Sequence, residues 1–226
     1  MNFSNEHLTR QLDIVPLDIL GEKITVIGAG AIGGWTTLAL AKMGFSNIAV
    51  IDFDKVDTVN MNSQFFRFKD IGKPKVLALQ ELVSDFTEIK ITAVNDMYTS
   101  ASFSGTVISA VDSMKVRKQI WEAHVSNPYA TRAIIDPRMG AQQALLYVMD
   151  PKSQKDREDY PKSLYTDDAA EQERCTAKAT IYTANLLSGL VVKAVKDILT
   201  RKDYLRIAQW DIAENDFAGF KAPVKP

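Results

Sequence analysis

VIGAGAIGGWTTLALAKMG, Val26–Gly44, decides the fold. An apolar run ends in a glycine-rich turn, and the turn leads straight into residues whose apolar side chains recur at helical spacing. Gly28, Gly30 and Gly33 form G-x-G-x-x-G, with Ala31 and Ile32 in the opening helical turn. Glycines at these places let the chain turn tightly and approach phosphate oxygens, and the start of the helix offers free N–H groups to negative charge. Strand, turn and helix together predict a phosphate-binding corner and leave the nucleotide open.

Short β-rich runs alternate with helical patterns from Glu22 to Asp150, the arrangement that builds a parallel sheet with helices on both faces. Strands are expected at KITVIG, NIAVID, EIKITAVN, GTVISAV, RAIID and ALLYVMD. Helices are expected over Ala31–Met43, Pro74–Phe86 and Ser113–His124; Pro74 stands where a first-turn proline loses no hydrogen bond. Beyond Asp150, PKSQKDREDYPKSLYTDDAAEQER is polar and nearly free of aliphatic residues, which predicts a long crossover loop, either a functional lid or a solvated excursion. CTAKATIYTANLLSGLVVKAVKDILTRK then predicts a long amphipathic helix, and YLRIAQWDI a further strand. The chain is read as one domain over 1–226: an arm at 1–21, a nucleotide-binding core at 22–150, a crossover loop at 151–174, and a helix and tail at 175–226.

Composition narrows the classes. The 226 residues are 46% hydrophobic and 24% charged, the make-up of an ordinary soluble domain. A net charge of −1 gives no reason to expect nucleic acid or an anionic membrane as partner. No apolar run reaches bilayer-spanning length, and the first residues, MNFSNEHLTRQ, lack the pattern of an export signal, so a cytoplasmic location is expected. The one cysteine, Cys175, excludes an intrachain disulfide and a cysteine-rich zinc site within the chain. Zinc is not expected.

The second strand ends in Asp52, where an acid can take ribose hydroxyls. To this point a nicotinamide-dependent oxidoreductase fits equally well, and a solvated strand-end carboxylate remains the plain alternative. The continuation, IDFDKVDTVNMNSQFFRFKDIGKPK, resembles the signature of the ThiF/MoeB-type adenylyltransferase superfamily, which includes the ubiquitin-activating enzymes. Asp52, Asp54, Val56, Asn60, Gln64, Asp70, Ile71, Gly72 and Lys75 fall on the matching positions. Within VISAVDSMKVRKQI, Asp112 and Arg117 resemble the family's V-D-x-x-x-x-R element, and Thr9-Arg10-Gln11 resembles its R-Q entry. DPRMGAQ and CTAKATIYTANLLSGL are similar to segments of phage- and plasmid-associated ThiF-like proteins.

The resemblance implies a Rossmann-like doubly wound α/β fold, with a mainly parallel sheet and extra strands after the long helix. It implies attack of a carboxylate on the α-phosphate of ATP, giving an acyl adenylate and pyrophosphate. It assigns Asp52 to the ribose, Asn60 to a phosphate or ribose oxygen, Lys75 to phosphate charge and Asp112 to Mg²⁺. Asp54 and Gln64 join the nucleotide site, and Arg10 acts in trans on the ATP of a homodimer partner. The substrate class implied is a ubiquitin-like or sulfur-carrier protein ending in Gly-Gly, whose slender tail would thread beneath the 151–174 loop. Taken singly, Lys75 reads as a solvated first-turn residue and Asn60 as a turn former.

Two departures matter. Ser63 stands where the family has a phosphate-binding arginine, which favours the alternative of a non-catalytic nucleotide-binding partner protein; Arg67, about one turn on, is expected to supply the missing charge. The paired C-x-x-C ligands of many relatives are absent. Arg138, after a strand end, either grips the incoming carboxylate or pairs with Asp136. Cys175 at the mouth of the last long helix is either a nucleophile with a lowered pKa or a buried small hydrophobe. His7 and His124 have no catalytic partners in sequence, and Trp35 and Tyr98 are expected in the core or lining it.

Overall fold

The computed structural model describes residues 5–165 and 179–222. Its centre is β1 (Ile24–Ile27), four residues buried on both sides, as a strand must be when helices cover both faces of the sheet. β2 (Ile48–Ile51) lies beside it, then β3 (Thr92–Val94). On the other side come β4 (Gly105–Ser109) and β5 (Thr131–Gly140). All four of these pairings are parallel. β6 (Gln143–Met149), β7 (Tyr204–Asp211) and β8 (Asp216–Ala222) complete the eight-stranded sheet in antiparallel fashion.

Alternation along β1 divides the core. Ile24 and Val26 join the larger apolar cluster with α1 (Ala31–Lys42), α2 (Lys75–Thr87) and the long last helix. Ile27 points to the opposite cluster with Ile120 and Trp121 of α3 (Met114–Ser126) and with Tyr160. The sheet thus has helices on both faces, as expected.

The structure corrects three expectations. β6 follows β5 through the two-residue turn Ala141-Gln142, too short for the crossover that parallel pairing requires, so β6 runs antiparallel. The start of the 151–174 stretch is helical: α4 (Gln154–Asp159) is capped by Ser153, whose Oγ accepts the Asp156 N–H, and a 3-10 turn covers Tyr160–Ser163. The last helix, α5, runs Ile181–Leu199, so its first residue comes six positions after Cys175. The hydroxyls of Thr180 and Thr183 both donate to the Ala141 carbonyl and fix where the helix begins. The extra strands expected after the long helix are β7 and β8.

Candidate functional site

The C-terminal ends of β1, β2 and β4 meet at the glycine turn. Gly28 has φ +98°, and a side chain there would strike the Ala110 carbonyl of the β4 exit at 2.3 Å. At Gly33 a Cβ would lie 1.9 Å from the Gly28 carbonyl. These glycines are therefore fixed by close backbone approach, not by helix propensity. A Cβ at Gly30 would meet nothing within 4 Å, so the backbone at the start of α1 has open space beside it for a ligand. Behind it, the Ser188 hydroxyl of α5 donates to the Ile32 carbonyl at 3.1 Å and locks the two helices together.

A continuous polar chain leads away from this turn. The Ala29 N–H donates to Asp52 Oδ2 at 2.6 Å, and the Asp54 N–H donates to Asp52 Oδ1 at 2.7 Å. Asp54 Oδ2 faces Lys75 Nζ at 2.8 Å, with the lysine side chain almost fully buried at the first residue of α2. Asp112 is exposed two residues past Ala110, whose N–H donates to the Ile27 carbonyl. Four of the expected nucleotide-site features, the glycine turn, Asp52, Asp54 and Lys75, are thus linked atom by atom, and Asp112 stands on the adjoining strand exit.

Asn60 ends a 3-10 turn, Thr58–Asn60, and its carbonyl accepts the N–H groups of Ser63 and Gln64. Gln64 Oε1 is buried with no hydrogen-bond partner among the described residues. Ser63 is itself buried, and its carbonyl accepts the Trp35 indole N–H at 3.1 Å, while the Trp35 ring packs on Phe65 at 4.7 Å. Trp35 therefore fastens the Asn60–Phe65 segment to α1. Trp35 lines the core as expected, and its indole N–H adds the tie to Ser63.

Arg67 does not fill the place of the missing arginine in the way expected. Its Nε and one terminal nitrogen donate to Asp70 at 2.7 and 2.9 Å, and the remaining contacts go to Glu81 and Asp85. The Arg67 hydrogen bond holds the fully buried Asp70 carboxyl below its ordinary value, and the same bond raises the guanidinium. With its nitrogens committed to carboxylates, Arg67 serves the fold. Arg67→Ala is expected to cost about 1–3 kcal/mol, since a buried carboxylate loses its main donors, while ATP affinity stays within about twofold because a committed charge contributes little to a distant ligand. Because Asp70 is depressed in the folded state, its contribution is fully present above the ordinary carboxyl value and is lost progressively as pH falls from there through the lowered folded value. Chemical denaturation of both proteins at pH 7 and pH 3 checks this: the gap between them closes in acid.

Arg138 pairs with Asp136, Nε to Oδ2 at 2.8 Å, and donates to the Ser163 carbonyl and hydroxyl. Of its two readings, the pairing is the observed one. Arg117 faces the other Asp136 oxygen and donates to the carbonyls of Ser109, Val111 and Pro137, which rivets the Asp112 turn to β5. Burial, then the charge of Arg138, pulls Arg117 down to about 10, still protonated at neutral pH. Tyr160 donates to Asp136 and is raised chiefly by burial. His124 is a structural residue: Nε2 accepts the Phe103 N–H, Nδ1 lies 2.6 Å from the Ile120 carbonyl, and burial lowers its pKa.

Arg10 is exposed at the end of the 3-10 helix Asn5–Gln11. Gln11 donates to the Met43 carbonyl, so this arm is tied to the far end of α1, about 18 Å from the glycine turn by the rise of a 12-residue helix. The structure does not bring Arg10 to its own chain's glycine turn. Cys175 lies outside the described residues.

A glycine turn, a strand-end acid bonded to that turn and a buried lysine at the exits of parallel strands define a nucleotide-binding domain of the doubly wound α/β class. The chain belongs to the ThiF family, whose model matches residues 16–225. It is 38% identical over 112 residues to the NEDD8-activating enzyme E1 catalytic subunit of Dictyostelium discoideum, covering 43% of this chain and 24% of that protein. Against the tRNA threonylcarbamoyladenosine dehydratase of Escherichia coli K12 it is 33% identical over 102 residues, 41% of this chain and 38% of the relative. The chain therefore spans well under half the length of these relatives. Among solved structures, E. coli MccB with ATP superposes with a TM-score of 0.79 at 14% identity, over 99% of this chain and 73% of that one, which shows a common fold.

Proposed function

We propose that this protein is an ATP-dependent adenylyltransferase that activates the C-terminal carboxylate of a ubiquitin-like protein, sulfur carrier or peptide. The observation that carries the reading is the linked chain from the glycine turn through Asp52 and Asp54 to Lys75, with Asp112 beside it. Relatives named as NEDD8- and SUMO-activating enzymes support a ubiquitin-like substrate, and solved complexes of MccB with the peptide MccA keep a peptide within the class.

In this reading the glycine turn and the free N–H groups of α1 receive phosphate, and Asp52 takes the ribose hydroxyls. A carboxylate oxygen of the substrate forms a bond to the α-phosphorus as the bond to the bridging oxygen breaks, and pyrophosphate leaves. Lys75 neutralises charge that grows on the phosphate oxygens. Asp112 would hold Mg²⁺. Among the described residues no three His, Cys or acidic side chains gather as a metal cage, and magnesium is characteristically held by one or two carboxylates with the nucleotide's own phosphates completing the shell. The ion would supply positive charge to the leaving pyrophosphate.

Arg10 is proposed to act in trans within a homodimer. Its attachment at the far end of α1 supports this, since it is remote from its own glycine turn. Calorimetric titration separates the proposal from a nicotinamide-dependent enzyme. Saturable binding of ATP with magnesium and no heat with NAD is expected; tight NAD binding without ATP binding would replace this reading.

A further inference from the structure

The ion pair between Lys75 and Asp54 is built asymmetrically. The lysine side chain is 7% exposed and the aspartate 48%, so the carboxylate stands on the solvent side of the ammonium. Nor does the pair fix the lysine's backbone, because main-chain bonds already do so. The Lys75 N–H donates to the Asp54 carbonyl at 2.8 Å, the Val56 N–H to Lys73, and the Gly72 N–H to Val56. A β-bridge joins Lys55 to Pro74, and the Asp54 N–H is held by Asp52. These bonds clamp residues 54–56 against 72–75 whatever the side chains do.

We propose that Asp54 is a resident counter-ion for Lys75, an anion of the protein that occupies the lysine's phosphate-facing position until a polyphosphate displaces it. A nearly buried ammonium without a partner is costly, so the empty site needs a negative charge. A carboxylate half in water can surrender the lysine at little desolvation cost, whereas the triphosphate brings several charges at once. Asp54 therefore weakens polyphosphate binding, although its sequence position suggests a nucleotide ligand. The identity of the incoming anion as ATP rests on the proposed function; the counter-ion role does not.

Calorimetry on the full chain with ATP, inorganic tripolyphosphate and adenosine tests this. Asp54→Asn and Asp54→Ser are expected to bind both polyphosphates about fivefold more tightly, the size of a partly exposed ion pair, with adenosine unchanged. The gain disappears when Lys75→Ala is added. Weaker or unaltered polyphosphate binding in both variants would overturn the proposal. A second readout needs no nucleotide: mass spectrometry of Lys75 acetylation by limiting acetic anhydride. Labelling rises in Asp54→Asn if the carboxylate shields the amine, and equal labelling contradicts the shield. Rising labelling in a protein that binds no ATP would sink the adenylyltransferase reading and leave the counter-ion standing.

Discussion

Lys75→Ala lowers ATP–pyrophosphate exchange by about 10²–10³-fold, the loss that follows removal of one preorganised charge. The expectation comes from where the lysine sits. Its side chain is almost fully buried at the opening residue of α2, and its backbone is fastened to Asp54. Such a charge needs little reorganisation when phosphate oxygens gain charge in the transition state, and that preorganisation is what makes it effective. The variant is expected to fold, because the partner it abandons, Asp54, is half in water. Arginine at the same place should restore little, since a planar fork cannot use the narrow position of a point charge. The measurement is exchange at saturating ATP alongside a melting curve. A large fall with an unchanged melt is the predicted pattern, and near-normal exchange would remove Lys75 from the chemistry.

The second large effect is expected at Asp112. Asp112→Asn keeps the shape and removes the charge that would hold magnesium, so exchange at low magnesium drops about 100-fold, on the scale of a lost metal or charge contact. Raising the magnesium concentration should recover part of the loss, whereas no ion recovers Lys75→Ala. Folding is spared because the turn carrying Asp112 is held by Arg117, whose nitrogens reach the carbonyls of Ser109 and Val111 and the Asp136 carboxylate. A magnesium titration of both proteins reads the difference. If the deficit were the same at every magnesium concentration, Asp112 would not be the metal ligand.

These side chains were legible in the sequence because their signals are local. G-x-G-x-x-G implies a turn whose geometry admits only glycine at Gly28 and Gly33, and the structure supplies the reason in the backbone carbonyls of Ala110 and Gly28. Strand and helix periodicities around β1, α1, α2 and α3 likewise depend on neighbours a few residues away. What escaped was set by distant partners or by turn length. The sense of β6 depends on the two-residue Ala141-Gln142 turn. The short α4 escaped because its residues are polar; what holds the region is Tyr160 buried against Trp121 and an ion pair of Asp156 with Arg206.

The arginines show the same limit. Arg67 meets Asp70 three residues on, which the sequence displays, but its contacts with Glu81 and Asp85 need α2 to fold back beside it. The two acids are four apart on that helix, which was the available clue. Arg138 could be read as a substrate clamp or as the mate of Asp136, and only the strand geometry, with Tyr160 donating to the same oxygen, decides in favour of the ion pair.

Exchange of labelled pyrophosphate into ATP reads the proposed transfer of AMP from ATP to a carboxylate without needing the final acceptor. Full-length protein with ATP, magnesium and a panel of small carrier proteins ending in Gly-Gly is predicted to exchange label only when a cognate carboxylate is present. Amidation of that carboxylate should abolish the exchange. Exchange that persists with the amidated tail, or no exchange with any free carboxylate from carrier proteins or peptides despite saturable ATP binding, would contradict the account.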